Sequence, residues 1–382
     1  MAYVLRLSAG VLAAPLGREF GLTAGTFGLM SSMVFYAYTL MQVPVGILAD
    51  TAGPRLTVAW GMAAAGAGAI LFASAGNPSL LFAGRILMGA GVAGAFICTM
   101  KFLADNFEGE RFATLSGITS LIGNAGGMTA QAPLAMLVAA LTWRWSFVLL
   151  GVVSLLLSLL CFLVLPRSGR RPFSFPMLGE GLRIVFTTAG MYSVTLNYLA
   201  NQACFLALSG TWGISYLRVV HRIDGAPLMT LMAGGVMAGA VAAGKLSDRW
   251  GSRKKPLCLF ALAHFFLWGL LVFLPSPFPR PGLAVLLGGL GFFAGALVIP
   301  WSVAKELNPP NHTGLSIAVM NTAAFLAVAV LTSSMGWALD GAAELAPGDA
   351  WRHVLLLPLA VSAAGLVGAV LTPETFGRKR AG

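Results

Sequence analysis

Two segments of the sequence share one spacing of glycine, aspartate and basic residues. In each, a glycine stands four residues before an aspartate, a second glycine stands three residues after it, and basic residues follow. The two aspartates, Asp50 and Asp248, are 198 positions apart in a chain of 382 residues. A carboxylate in such a turn can bind the positive N-terminal end of a neighbouring helix. The repeat therefore predicts two equivalent loops with a conformational role, formed by Gly46, Asp50, Gly53 and Arg55 and by Gly244, Asp248, Arg249, Gly251 and Arg253.

Arg6 is a charged residue inside an apolar run that covers residues 1–16. It precedes Arg18 by 12 residues, which is about 18 Å along a helix and places Arg6 near the middle of a bilayer. An arginine at that depth costs at least about 2.5–3.5 kcal/mol unless it meets water or a partner. Because a guanidinium binds a carboxylate or phosphate through two parallel hydrogen bonds, Arg6 is predicted to bind an anionic group. The alternative is that Arg6 lies at the cytoplasmic end of a chain that begins here.

Other polar side chains interrupt the apolar runs and together predict a polar cavity. Each alone is more often an interhelical hydrogen bond than a ligand. Tyr198, Asn201 and Gln202 recur at helical spacing on nearly one face. With Arg6, the predicted substrate-binding residues are Tyr36, Tyr38, Gln42, Asn124, Tyr198, Asn201, Gln202, Trp301 and Asn321.

Two more cations in apolar runs are assigned to gating. Arg85 begins a run of small residues that extends to Ala95, and small residues let helices approach closely. An arginine inside the membrane is a functional candidate, although Arg85 could instead extend to the outer surface as an anchor. Lys305 lies at the inner end of its apolar run, where it could gate or reach the surface.

The composition requires lipid as the solvent for much of the surface. The chain is 58% hydrophobic and 10% charged, with a mean hydropathy of +0.84, whereas soluble domains are about 45–50% apolar and about 25% charged. In hydrocarbon every backbone polar group needs an internal partner, so the apolar runs must be helices and the fold all-α. With the short run at the N-terminus they predict about twelve spans, the others lying near residues 27–49, 56–76, 80–103, 113–141, 145–165, 187–216, 226–247, 256–275, 282–305, 314–339 and 350–372.

The longest polar interval divides the chain into two halves. Residues 1–165 form a six-helix half, 166–186 a cytoplasmic linker, and 187–382 a second six-helix half with a basic tail. All clusters of Lys and Arg fall in one alternating set of loops, which the positive-inside rule assigns to the cytoplasm together with both termini. This bias also explains the net charge of +11, so no nucleic-acid partner is expected.

The repeated loop resembles the signature of the major facilitator superfamily, Gly-x-x-x-Asp-Arg/Lys-x-Gly-Arg/Lys. The second copy fits well; the first has Thr51 in place of a basic residue and Pro54 before Arg55. The segment that begins at Arg85 resembles the family's motif of helix four. The resemblance implies a twelve-helix fold of two six-helix pseudo-repeats around a central cavity, and alternating access. It also implies that each aspartate contacts a helix start in the opposite half, near residues 313–316 or 113–116, and that Gly46 and Gly244 lie where a helix end approaches a neighbour.

The positions of the acidic residues limit the substrate. All 13 Asp and Glu residues fall in loops or near helix ends, so no buried carboxylate is available to carry a proton or to balance a cation. The sequence therefore predicts a secondary active or facilitative transporter of a small organic anion or zwitterion. It predicts a functional monomer in a lipid bilayer, most simply a bacterial inner membrane, and leaves a coupling ion open.

Two alternatives remain. One is an exporter of drugs or siderophore-like compounds; Asn124 stands where the Gly-Pro-x-x-Gly-Gly signature of such exporters has proline, which weakens this alternative. The other is a non-transporting receptor or scaffold on the same fold. The four His and four Cys residues are scattered, and no nucleotide-binding loop occurs, so no enzyme activity, metal or cofactor is expected.

The first helix is expected to be incomplete. The apolar run of residues 1–16 is shorter than the roughly 20 residues that span a bilayer. We therefore expect about 8–15 further residues upstream. The alternative is a short helix whose start is bathed by water.

Overall fold

The computed structural model describes residues 1–107, 109–166, 175–275, 277–309 and 312–377. Within these ranges the chain is α-helical and contains no strand. It divides into two compact units, Met1–Phe173 (unit 1) and Ser174–Gly382 (unit 2). The boundary falls in the polar interval at residues 166–186, and the second part of that interval forms a helix, α9.

Unit 1 contains eight helices in the residues described. The first span is divided at Ser8, and the fourth is divided at Ala93. The helices are α1 (Ala2–Leu7), α2 (Ala9–Phe20), α3 (Ala24–Thr51), α4 (Pro54–Ala73), α5 (Pro78–Val92), α6 (Gly94–Asn106), α7 (Gly109–Thr129) and α8 (Ala132–Val164).

Unit 2 contains nine α-helices in its described residues. Two short segments of other helical types lie between them. A π-helical turn, Leu208–Trp212, joins α10 to α11, and a 3-10 turn, Gly295–Leu297, joins α14 to α15. The helices are α9 (Phe175–Thr187), α10 (Met191–Ala207), α11 (Gly213–Val220), α12 (Ala226–Trp250), α13 (Lys254–Phe273), α14 (Arg280–Ala294), α15 (Val298–Leu307), α16 (Thr313–Gly341) and α17 (Pro347–Leu371).

Ten helical segments in the described residues are long and apolar enough to cross a membrane. They agree with the apolar runs in the sequence, since helices that a short turn interrupts, such as Met191–Val220 and Arg280–Leu307, count as one span. The segments Ala2–Phe20 and Gly109–Thr129 are not among the ten. The predicted all-α membrane fold is therefore confirmed, and the count of twelve stays a prediction.

Pro133 lies in the first turn of a helix. The run predicted as one span at residues 113–141 is divided between two helices, since α7 ends at Thr129 and Pro133 occupies the first turn of α8. Proline is well suited there because the missing N–H group has no partner within the first turn. The sharp change of direction comes later in α8, at Thr142, whose φ is +71°.

Close approach of helices depends on glycine in unit 2. A Cβ atom at Gly291 of α14 would overlap the backbone oxygen of Met232 in α12, and one at Gly239 would overlap that of Phe292. The abundant glycines of the sequence therefore allow backbone contact between helices, as expected for packing in a bilayer.

Candidate functional site

Arg6 lies in a buried cluster of unit 1 together with two tyrosines. Its guanidinium carbon is 4.4 Å from the centre of the Tyr3 ring and 5.2 Å from that of Tyr38. The Tyr38 hydroxyl interacts with both Arg6 and Gln42. Arg6, Tyr38 and Gln42 are 7%, 5% and 6% exposed. We refer to Tyr3, Arg6, Tyr38 and Gln42 as the unit 1 cluster.

Sequence reasoning found three members of this cluster and missed Tyr3. The signal was available, because Tyr3 and Arg6 are three residues apart and therefore lie on one face of α1. The two other residues proposed for unit 1 are placed differently. Tyr36 is half-buried on α3, two residues before Tyr38 and so on a different face. Asn124 follows Gly123 of α7, where a Cβ would lie 3.0 Å from the Tyr3 ring, so Asn124 belongs to the helix that packs on Tyr3.

Arg85 is fully buried and binds the break in the first span. Its Nη1 atom donates to the carbonyl oxygen of Leu5 and to the hydroxyl of Ser8, both at 3.2 Å. Ser8 itself donates to the Leu5 carbonyl at 2.9 Å. Because α1 ends at Leu7, these bonds satisfy carbonyl groups at a helix end and fix the position of α1. Arg85 thus links two helices inside unit 1, and its side chain does not extend to the surface as an anchor would.

A second buried polar cluster lies in unit 2. Tyr198 of α10 donates from its hydroxyl to Asn321 Oδ1 of α16 at 2.6 Å, and its ring centre is 6.1 Å from that of Trp301 in α15. Asn201, one turn after Tyr198, is 8% exposed. Asn201 Oδ1 and Trp301 Nε1 are buried without a hydrogen-bond partner among the described residues. We call Tyr198, Asn201, Trp301 and Asn321 the unit 2 cluster.

Gln202 is half-buried and is not among the residues that join this cluster. It follows Asn201 directly and so points about 100° away around the helix. The roles of both clusters in binding a substrate remain predictions.

The first Gly-Asp-Gly loop is held within unit 1 by two contacts. Asp50 forms an ion pair with Lys101 of α6. Arg55 donates from Nε to the carbonyl oxygen of Phe162 at 2.8 Å, and its guanidinium lies 4.6 Å from the Phe162 ring centre. Gly53 has a φ of +87°, a conformation that glycine adopts without strain.

The second loop carries a larger charge network in unit 2. Arg253 contacts Asp248 at 3.1 Å and Glu306 of α15 at 3.0 Å. Gly251 has a φ of +56°, so both loops turn at the glycine that follows the aspartate by three residues. Arg249 and Lys305 are exposed. The two loops therefore share a turn geometry but use different partners, and their predicted gating roles remain predictions.

Gly46 and Gly244, the first glycines of the two loops, have open space around them among the described residues. A Cβ atom at either position would meet no described atom within 4 Å. The close helix approach expected at these two glycines therefore stays a prediction, since no described neighbour lies beside either one.

Sequence reasoning missed the segment that follows α17. The Glu374 carboxylate accepts hydrogen bonds from the Ser252 hydroxyl and from the backbone N–H groups of Arg253 and Phe376, the latter two at 2.8 and 3.0 Å. Thr375 donates to Glu306 at 2.5 Å. Partial burial alone would raise the pKa of Glu374, but these hydrogen bonds, the Ser252 hydroxyl first, outweigh it and lower the pKa to about 2. The segment thereby joins the second loop to α15.

Comparisons with known proteins agree on one family. The sequence model of the Major Facilitator Superfamily matches residues 1–332. The chain is 29% identical to the probable sulfoacetate transporter of Cupriavidus necator, over 84% of this chain and 80% of that protein. It is 26% identical to a D-galactonate transporter of Escherichia coli, over 97% and 91% of the two chains.

The solved structures agree at the level of the fold. The D-xylose-proton symporter superposes with a TM-score of 0.75 at 15% identity, over 99% of this chain and 97% of that one. The matched loops, the buried arginines and the spans are therefore set in a known transporter fold. The chain belongs to the Major Facilitator Superfamily and is an integral, multi-pass membrane transporter, not an enzyme.

Proposed function

We propose that the protein is a secondary transporter that moves small organic anions across a bacterial inner membrane by alternating access. The observation that carries the proposal is Arg6, a buried guanidinium held against the rings of Tyr3 and Tyr38. Aromatic rings stabilise a guanidinium that is removed from water, and its coplanar N–H groups match the two oxygens of a carboxylate or sulfonate.

The charge balance of the spanning helices supports an anionic substrate. Arg6 and Arg85 are both buried in unit 1, and the acidic residues of the sequence lie in loops or near helix ends. A buried cation is costly, and an anion that binds beside it lowers that cost. A cationic substrate would raise it.

The relatives support the same substrate class. Two of them carry the names of sulfoacetate and D-galactonate transporters, and both compounds are small organic anions. We propose that this chain takes a substrate of that class, acts as a monomer, and has its loops at residues 50–55 and 248–255 on the cytoplasmic side.

Uptake into proteoliposomes tests the proposal. Purified protein should accumulate or exchange labelled organic anions such as galactonate and sulfoacetate, and should not transport choline or a neutral sugar of similar size. An exporter of drugs would instead move apolar cations or neutral drugs. A receptor or scaffold would bind an anion without moving it, so binding with no flux in either direction would contradict the proposal.

A further inference from the structure

Arg85 binds the chain on both sides of Arg6, and all of these contacts lie within unit 1. Its Nη1 atom donates to the carbonyl oxygen of Leu5, the residue before Arg6, and to the hydroxyl of Ser8, two residues after Arg6. The Ser8 hydroxyl also donates to the Leu5 carbonyl. Arg85 therefore holds the short stretch of chain from which the Arg6 side chain extends.

The end of α1 needs partners from outside the helix. α1 has six residues and ends at Leu7, before the break at Ser8. The last four carbonyl groups of a helix lack partners within it, and Leu5 is among these residues. The bonds from Arg85 and Ser8 thus replace bonds that a continuous helix would supply, and they fix the direction of the helix end that carries Arg6.

Arg85 and Tyr38 are held on two helices in direct backbone contact. A Cβ atom at Gly89, one turn after Arg85, would lie 2.3 Å from the backbone oxygen of Val34, one turn before Tyr38. Glycine leaves no side chain between the two backbones, so α5 and α3 pack closely there. The hydrogen bonds of Arg85 and the ring of Tyr38 therefore reach α1 from one rigid frame.

Packing alone does not explain the charge of Arg85. The side chain is fully buried, and its Nε and Nη2 atoms have no hydrogen-bond partner among the described residues. Burying a cation is costly, and an apolar side chain of similar length would fill the same space without that cost. An apolar side chain could not, however, donate to Leu5 and Ser8.

We propose that Arg85 is a positioning residue of the anion site, which sets the direction in which the Arg6 guanidinium meets the anion. This inference rests on the proposed function, in which Arg6 binds the charged group of the substrate. Two parallel hydrogen bonds from a guanidinium to a carboxylate require a defined plane. A rotation of α1 would therefore cost Arg6 one of the two bonds.

Variants at position 85 test the proposal on the full-length protein, by calorimetric titration with galactonate and with sulfoacetate at pH 7. Arg85→Met keeps the length of the side chain and loses both bonds, so anion affinity should fall by about tenfold or more. Arg85→Lys should stay within about threefold of wild type, because both bonds come from the single atom Nη1 and one ammonium group can donate both. Wild-type affinity in a folded Arg85→Met variant, or an equal loss in the two variants, would overturn the proposal.

Arg144→Met is the matched control. Arg144 also binds carbonyl groups at a helix end of unit 1, those of Ala73 and Ala75 at 2.6 and 2.8 Å. Its loss should lower the melting temperature and leave the anion affinity of the folded protein unchanged. A loss of affinity as large as that of Arg85→Met would show that any weakened helix end impairs binding, and it would overturn the specific role of Arg85.

A double variant separates positioning from stability. In wild type, Arg6→Lys loses the planar fork. If Arg85→Met has already turned the Arg6 guanidinium, Arg6→Lys should cost at least about threefold less affinity in that background, because both substitutions act on one interaction. A merely structural role of Arg85 predicts the same cost in both backgrounds, and that result would overturn the proposal.

Ser8→Ala keeps the proposal testable if Arg85→Met does not fold. This variant removes one acceptor of Arg85 and the second donor to the Leu5 carbonyl. It should weaken anion binding by about two- to fivefold. Wild-type affinity in Ser8→Ala would then overturn the proposal.

The failure of this inference can be distinguished from failure of the proposed function. Anion binding that Arg6→Gln abolishes and Arg85→Met leaves intact would keep the anion transporter and overturn the positioning role. If wild type binds neither galactonate nor sulfoacetate and Arg6→Gln changes nothing, the proposed function fails, and this inference fails with it.

Discussion

The guanidinium carbon of Arg6 lies 5.2 Å from the centre of the Tyr38 ring, which joins the first span to the second within unit 1. The two residues are 32 positions apart in the sequence, so only the tertiary fold of unit 1 brings them together. The Tyr3 ring contacts the same guanidinium from within α1. The relationship explains how a cation is kept inside an apolar helix, since aromatic rings replace part of its lost hydration.

Removal of the Tyr38 ring should weaken anion binding through Arg6. Because a desolvated cation–π contact contributes about 0.5–2 kcal/mol, Tyr38→Ala should lower anion affinity by about 2- to 30-fold. Tyr38→Phe keeps the ring and loses only the hydroxyl that interacts with Gln42 and Arg6, so it should lose less affinity than Tyr38→Ala. Calorimetry with galactonate measures both variants, and an equal loss in the two would assign the effect to the hydroxyl instead of the ring.

Gly291 should tolerate no side chain, unlike its neighbour one turn earlier. Gly291→Ala would force a Cβ into the backbone of Met232, and such overpacking costs about 1–3 kcal/mol. A Cβ at Gly288, also in α14, would lie 3.6 Å from the Leu231 side chain, which is an ordinary contact. Thermal unfolding in detergent should therefore show a clear loss for Gly291→Ala and little change for Gly288→Ala. Equal melting temperatures would show that α12 and α14 separate easily.

Glu374 should make stability depend on acid. Its pKa is lowered from 4.5 to about 2 in the folded protein, so its contribution is fully present above the unfolded value and is lost as the pH falls through the folded value. Glu374→Gln removes the charge that the N–H groups of Arg253 and Phe376 bind. The melting temperature of this variant should be lower than that of wild type at pH 7, and the difference should shrink towards pH 3. A constant difference over this range would contradict the account.

His221, which follows α11, should also make the protein less stable as the pH falls, but at a higher pH than Glu374 does. Its Nδ1 atom accepts from the backbone N–H of Phe278 at 3.1 Å, so the ring proton is on Nε2, which lies 3.0 Å from the Tyr216 hydroxyl. Burial lowers the pKa of His221 below 6.5, and the charged residues near it in the sequence are Arg218, Arg222 and Asp224. The stabilisation is present above pH 6.5 and is lost as the pH falls through the lowered value, because the unfolded chain binds the proton first.

Replacing His221 with glutamine separates the effect of protonation from the effect of the hydrogen bonds. His221→Gln can still accept from Phe278 but does not titrate. Between pH 8 and pH 5 the melting temperature of wild type should fall more than that of the variant. Parallel curves for the two proteins would show that folding does not lower the pKa of His221.

The spans could be predicted from the sequence, whereas most partners within them could not. Hydropathy alone located α12 and α13 to within about three residues, because burial in lipid requires a continuous apolar helix. The turn at Thr142 falls in the gap between the runs predicted at residues 113–141 and 145–165. The π-helical turn at Leu208–Trp212 has no such signal, because it depends on packing between helices, which composition does not record.

The two loops show the same limit. Their spacing predicted a shared turn, and positive φ values at Gly53 and Gly251 account for the second glycine of each. Their partners differ, since Asp50 pairs with Lys101 while Asp248 pairs with Arg253, which also pairs with Glu306. Glu374 is 121 residues from Arg253, so a local sequence pattern could not predict their contact. The contacts of both aspartates with helix starts of the opposite half remain a prediction.

The most direct test of the account is galactonate and sulfoacetate binding and uptake by wild type, Arg6→Gln, Arg6→Lys and Arg18→Gln in proteoliposomes. Arg18 is the matched control, because it is an exposed arginine in α2 and its loss changes the net charge by the same amount. We expect Arg6→Gln to abolish both signals, Arg6→Lys to restore them poorly because lysine lacks the planar fork, and Arg18→Gln to behave as wild type. Wild-type affinity and flux in a folded Arg6→Gln variant would show that Arg6 does not bind the anion.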